Sequence, residues 1–161
     1  MRSRLAIAGA GLALTLLQAA PLAAQTAPDR EAILAVVRRL FDGMRAGDSA
    51  MVRSTFHPKA QLASAQVRQG NATVEVDAVD EFVRAVGTPH KEVWDERTRN
   101  ERLEQDGTLA SVWADYSFYA GSRFSHCGVD AFFLAKEGNE WKIVSLIDTR
   151  RRQGCPDQPG R

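Results

Sequence analysis

The chain has 161 residues, of which 44% are hydrophobic and 25% charged, the size and make-up of one globular domain. Its 21 basic and 20 acidic residues nearly cancel, so charge gives no case for binding nucleic acid or an anionic membrane. Two Cys and three His stand at no ligand spacing, and neither a Cys-x-x-Cys pair nor a Gly-rich phosphate loop occurs, so the sequence calls for no metal and no organic cofactor.

The first segment reads as a secretory signal. Arg2 and Arg4 form a basic start, Leu5 to Leu17 is an apolar run of about 13 residues, too short to span a bilayer, and Pro21-Leu22-Ala23-Ala24 supplies small residues for cleavage. Cleavage is expected after Ala24, with an uncleaved anchor as the alternative. Losing Arg2 and Arg4 leaves the mature chain close to neutral. This implies residues 1–24 as signal, one domain over 25–152, a tail over 153–161, no membrane attachment after cleavage, and a periplasmic or secreted product.

An amphipathic helix is expected from Asp29 to Arg45, with Ile33, Val36, Val37, Leu40, Phe41 and Met44 on one face. Thr26 or Asp29 caps it and Gly47 stops it. Asp48 then caps a short helix that ends before His57-Pro58. Gln61 to Ser64 reads as a short strand and Gln69-Gly70-Asn71 as a turn. Asp77 is expected to cap a third helix carrying Val79, Phe82, Val83 and Val86, broken at Thr88-Pro89-His90. Arg97 to Glu104 reads as a polar strand turned by Asp106-Gly107. From Gly107 to Arg152 three aromatic and β-branched runs alternate with short Gly-containing turns, the pattern of an antiparallel meander. Helices first and a curled sheet last imply an α+β cone with a pocket between the layers.

Cys127 and Cys155 are the only cysteines, and in an exported chain an isolated pair is expected to form a disulfide. It would close a loop of about 28 residues, worth roughly 3–4 kcal/mol by chain entropy, and would tether the tail to the sheet.

Met-Arg-Ala-Gly-Asp and Phe-His-Pro-Lys-Ala between Phe41 and Leu62, with Gly-Val-Asp-Ala-Phe-Phe-Leu and Trp-Lys-Ile-Val-Ser later, resemble the SnoaL-like, or nuclear transport factor two-like, superfamily. The ending Asp-Thr-Arg-Arg-Arg-x-Gly-Cys, with His-Cys-Gly-Val before it, is most similar to the exported branch that carries a lumazine-binding label. The resemblance covers the whole mature chain. It implies a cone of helices on a strongly curved sheet. The superfamily holds isomerases, dehydratases, cyclases and binders, so it does not set the function. Its ketosteroid isomerases place a catalytic Tyr where this chain has Leu40, and a general-base Asp where it has Ser64. Their third group, a protonated Asp, matches Asp130 of Asp130-Ala131-Phe132. With two of three groups absent, that mechanism is not expected.

If Gly121-Ser122 is a two-residue loop, Ala120 faces Arg123, Ser117 faces His126 and Asp115 faces Gly128. One face would then carry Trp113, Asp115, Ser117, Tyr119, His126, Asp130 and Phe132, and the Asp130 match turns it toward the pocket. The same match turns Leu146, Asp148 and Arg150 inward. His126 beside Asp115, or Asp130 beside Trp113, are the candidate acid-base groups. Leu40, Ser64, Trp113, Tyr119, Phe132 and Leu146 are the candidate ligand contacts. The opposite apolar face, Val112 to Phe118 with Cys127 to Phe133, is expected to be covered by a second copy of the chain or by the tail. Three functions remain open: an exported binder of a small, partly apolar molecule, a cofactor-independent isomerase or dehydratase, and a structural dimer module with a vestigial pocket.

Overall fold

A computed structural model describes residues 27–157. The expected signal segment and the last four residues lie outside the described part. Helix α1 (Ala27–Ala46) buries Ile33, Val37, Leu40, Phe41 and Met44 along one stripe, each worth roughly 1.5–3 kcal/mol of removed apolar surface. Helix α2 (Ser49–Thr55) starts at Asp48, whose carboxylate accepts from the Met51 amide at 2.8 Å, meeting one of the donors that every helix start leaves free. Two strands follow, β1 (Phe56–Arg68) and β2 (Asn71–Asp77). Helix α3 (Val79–Gly87) comes next, and then β3 (Trp94–Asp106), β4 (Leu109–Ala120), β5 (Arg123–Glu137) and β6 (Glu140–Arg150).

The six strands form one sheet in the order β2-β1-β6-β5-β4-β3. All neighbours are antiparallel except β1 and β6. The helices cover its concave face, and the core lies between. This is the expected α+β cone. Two local readings differ. The short strand expected at Gln61–Ser64 extends over the whole of β1, and it pairs with β2, a strand that was not expected. Asp77 ends β2, and Ala78 stands at the cap of α3 with no side-chain bond.

The turn Gly121-Ser122 closes β4 on β5 as expected, with Ala120 opposite Arg123 and Gly121 at a positive φ of 60°. One pair later the register slips. Tyr119 faces Phe124, but Phe118 faces His126, which leaves Ser125 as the extra residue of a bulge. A one-residue slip exchanges the faces of a strand. The inner face of β4 is therefore Val112, Ala114, Tyr116 and Phe118. Trp113, Asp115 and Ser117 lie on the outer face.

Cys127 and Cys155 form a disulfide with Cα atoms 5.8 Å apart. Arg151 pairs with Cys127 through both backbone bonds, at 3.0 and 2.9 Å. Ser117 donates to Asp157 at 2.6 Å. The tail thus crosses one end of the outer face and buries Ser117 and Cys127. The rest of that face stays open, with Val74, Val76, Trp113, Phe133 and Ile147 exposed.

Candidate ligand-binding site

A cavity of about 520 Å³ opens between the helices and the concave sheet. Its walls are apolar and partly aromatic: Leu40 and Met44 from α1, Phe82 from α3, Leu62 from β1, Trp94 from β3 and Phe118 from β4. Trp94 and Phe118 meet edge-on at 6.3 Å. Its floor is polar, and the strand registers explain why. Ser64, Asp148, Asp130 and Ala114 stand opposite one another across β1, β6, β5 and β4. All four point inward. Ala114 has no bulk, and Glu96 from β3 reaches over toward Asp130.

Asp130 is 2% exposed. Burial, then the nearby charge of Glu96 and a hydrogen bond to it, hold its pKa well above the usual carboxylate range. Burial likewise raises Glu96 to about 7. The two carboxyls are hydrogen-bonded to each other and titrate as a pair, sharing a proton into the neutral range. Asp130 Oδ2 meets no donor unless the shared proton sits on it, and Asp148 Oδ1 is also buried with no partner. The other Asp148 oxygen accepts from Arg150 Nε at 2.7 Å and lies 3.4 Å from the Tyr116 hydroxyl, which donates to the Thr149 carbonyl at 2.9 Å. Burial pushes the Tyr116 phenol far up, so it stays a neutral donor.

His126 lines the cavity, packed on Phe118 with ring centres 5.0 Å apart. Burial, then the charge of Arg150, lowers its pKa to about 4, so the imidazole is neutral at pH 7. Its expected partner is elsewhere. Asp115 lies on the outer face and accepts from Asn100 at 2.9 Å. The bulge at Ser125 is the reason, and it removes the His126–Asp115 pair altogether.

The other expected contacts divide in the same way. Leu40, Ser64, His126, Asp130 and Leu146 line the cavity. Phe132 is fully buried beneath it, edge-on to Phe41 at 6.1 Å. Trp113 is 47% exposed on the outer face, with Arg102 over its ring. Tyr119 lies outside the cavity under Arg97 at 4.4 Å. Glu96 was not expected at the site at all. It sits in Trp-Asp-Glu-Arg-Thr-Arg, a run with no apolar alternation to mark its inner face. Among the described residues no group of His, Cys, Asp and Glu is placed to hold a metal, and no helix is long and apolar enough to cross a membrane.

A family model described as "Putative lumazine-binding" matches residues 28–147. The chain belongs to this family. No curated protein sequence matches. Solved structures give the fold independently. A nuclear transport factor two-like protein from Shewanella baltica is 20% identical, with a TM-score of 0.61 over 80% of this chain and 98% of that one. A second, from Novosphingobium aromaticivorans and described as having a cystatin-like fold, is 10% identical, with a TM-score of 0.64 over 80% of this chain and 85% of that one. A third, titled "Putative Scytalone Dehydratase" and from the same organism, is 12% identical, with a TM-score of 0.62 over 77% of this chain and 85% of that one. Identities this low establish the cone fold alone for this member of the family.

Proposed function

We propose that the protein is an exported binder of a small, partly apolar molecule held in the cone cavity. One observation carries this reading: a row of buried and half-buried carboxyls forms the floor of an open, aromatic-walled cavity. Buried polar atoms are normally met by partners. Asp148 Oδ1 has none, and Asp148 lines the cavity, where a ligand would supply one. A cavity of about 520 Å³ is also in the range of small-molecule sites. That counts against a vestigial pocket. Native mass spectrometry of protein from its own host tests the reading. A retained small molecule is expected, and it should be lost from Leu146→Trp, which fills the cavity. Protein that carries nothing and takes up nothing from a panel of small aromatic molecules would overturn it.

The disulfide supports an oxidising destination. The exposed apolar residues left beside the tail support a homodimer through the outer sheet face.

The shared proton supports a second reading, a cofactor-independent isomerase or dehydratase. A neutral acid beside a carboxylate whose pKa lies near 7 is matched to acid-base work at neutral pH. On this reading Asp130 and Glu96 transfer the proton, and His126 acts as a neutral hydrogen-bonding group. The Novosphingobium structure's dehydratase title is an analogy at fold level. Asp130→Asn should then lower turnover by about 10²–10⁴-fold while the fold survives. Normal turnover in that variant would end the enzymatic reading.

A further inference from the structure

We infer that the cavity selects an organic cation: a flat aromatic body bearing a protonated amine, with the ammonium group on the Asp130–Asp148 row. This rests on the binding reading above and names the class of ligand it would take.

The charges around the cavity are lopsided. Glu96 from β3, Asp130 from β5 and Asp148 from β6 stand on the floor, and Asp77 and Glu81 stand at the mouth. Arg150 is the one cationic side chain lining the cavity among the described residues. It is already engaged, since its Nε donates to Asp148 at 2.7 Å. From β4 Tyr116 offers a neutral hydroxyl turned to Thr149 and Asp148. From β5 His126 is neutral, and from β1 Ser64 offers a hydroxyl. From α1 Leu40, Phe41 and Met44 bring no charge. An anion placed here would face several carboxyls and one occupied guanidinium.

The geometry is more specific than the charge count. Asp130 and Asp148 are direct cross-strand partners, so two carboxyl groups face each other across neighbouring strands on the cavity floor. Each has an oxygen, Oδ2 and Oδ1 respectively, that is buried and takes no donor from the described residues other than a proton shared with Glu96. A neutral hydroxyl would satisfy one oxygen and leave the other without a donor. An ammonium has three donors and a positive charge, so it answers both at once. Charge-assisted bonds of this kind are about twice as strong as neutral ones. Phe82, Trp94 and Phe118 line the same space, and their ring faces are suited to a flat body and attract a cation.

A further consequence is that the ammonium takes the place of the shared proton. Binding should therefore release protons, and affinity should rise from pH 5 to pH 8. His126, with a pKa of about 4, stays neutral across that range and does not contribute.

The test uses three indoles that differ only at the end of a short side chain: tryptamine (cation), tryptophol (neutral) and indole-3-acetate (anion). Each is titrated calorimetrically into the mature chain at pH 7.5. Tryptamine should bind at least about tenfold more tightly than tryptophol, and the acetate should bind least. Asp130→Asn and Asp148→Asn, checked for folding by circular dichroism, should erase the preference. The wild-type ranking stands as a test even if a variant fails to fold. Equal or tighter binding of tryptophol or indole-3-acetate would overturn the cation inference and leave a binding cavity. Failure of all three to bind would also overturn it, and the search for a host-retained molecule would then decide the binding reading alone.

Discussion

At the scale of single residues, the proton between Glu96 and Asp130 makes stability depend on pH. In the unfolded chain these carboxyls titrate near 4.5 and 3.8. In the folded protein Glu96 titrates at about 7 and Asp130 is raised well above its ordinary value. Between those limits the folded state holds protons that the unfolded chain has released, so stability falls as pH rises. His126 works the other way. Its pKa drops from 6.5 to about 4, so stability rises with pH between those values. The two effects oppose each other up to about pH 6.5, and above that only the carboxyl pair remains. Urea unfolding of wild type should therefore show stability declining above pH 6.5. The double variant Glu96→Gln with Asp130→Asn should lose that decline and keep the rise below it. A wild-type profile that is flat or climbing above pH 6.5 would mean that the pair does not share a proton. Asp130 and Asp148 could be placed from sequence because the resemblance of Asp130-Ala131-Phe132 to a family motif set which face of the last two strands turns inward. Glu96 could not, because β3 is polar on both faces and only contact with the floor distinguishes it from its neighbours.

At the scale of elements, the meander, the two first helices and the disulfide could be read from periodicity, turn residues and cysteine count. The facing of β4 could not. It depends on Ser125, one residue in a run whose composition says nothing about a bulge, and the slip moves Trp113 and Asp115 from the expected pocket to the outer face. Strand β2 was also missed, although Thr73-Val74-Glu75-Val76 alternates. It is a short edge strand with both valines exposed, so no burial supports it. Gly128 is a close approach of the same hidden kind. A Cβ there would stand 1.7 Å from the Thr149 carbonyl oxygen and 2.7 Å from the Tyr116 ring. Gly128→Ala should cost about 3 kcal/mol or more, because backbone and a buried ring must both move. A melting temperature equal to wild type would contradict this packing. The disulfide makes a separate prediction. Thiol counting on denatured, unreduced protein should find none, and Cys127→Ser with Cys155→Ser should lose roughly 3–4 kcal/mol by loop entropy. The tail would then leave Ser117 and the outer face, which proteolysis after residue 150 would report.

At the scale of the whole molecule, export, dimerisation and ligand binding are separate claims. Export rests on the basic, apolar and small-residue order of the first 24 residues. Intact mass of the secreted protein should place the N-terminus at Gln25, and a product retaining Met1 would refute it. Dimerisation rests on the outer face, where Val76, Ala63, Ile147, Ala131 and Trp113 lie in one row across five strands. Light scattering should give a dimer for wild type and a monomer for Ile147→Glu, and a wild-type monomer at high concentration would remove that claim. The cone itself was legible because helix and strand periods follow from local sequence. The cavity floor was legible only in part, because it is assembled from five strands whose registers are set over long range. The central claim is that the cone cavity is the ligand site, and crystallographic fragment screening tests it most directly. Bound fragments should gather in the cavity, with a donor group within hydrogen-bond distance of Asp130 or Asp148 and a ring beside Phe82, Trp94 or Phe118. Fragments found only on the outer face or in the open groove near Arg151 and Arg152, with the cavity empty in every data set, would contradict it.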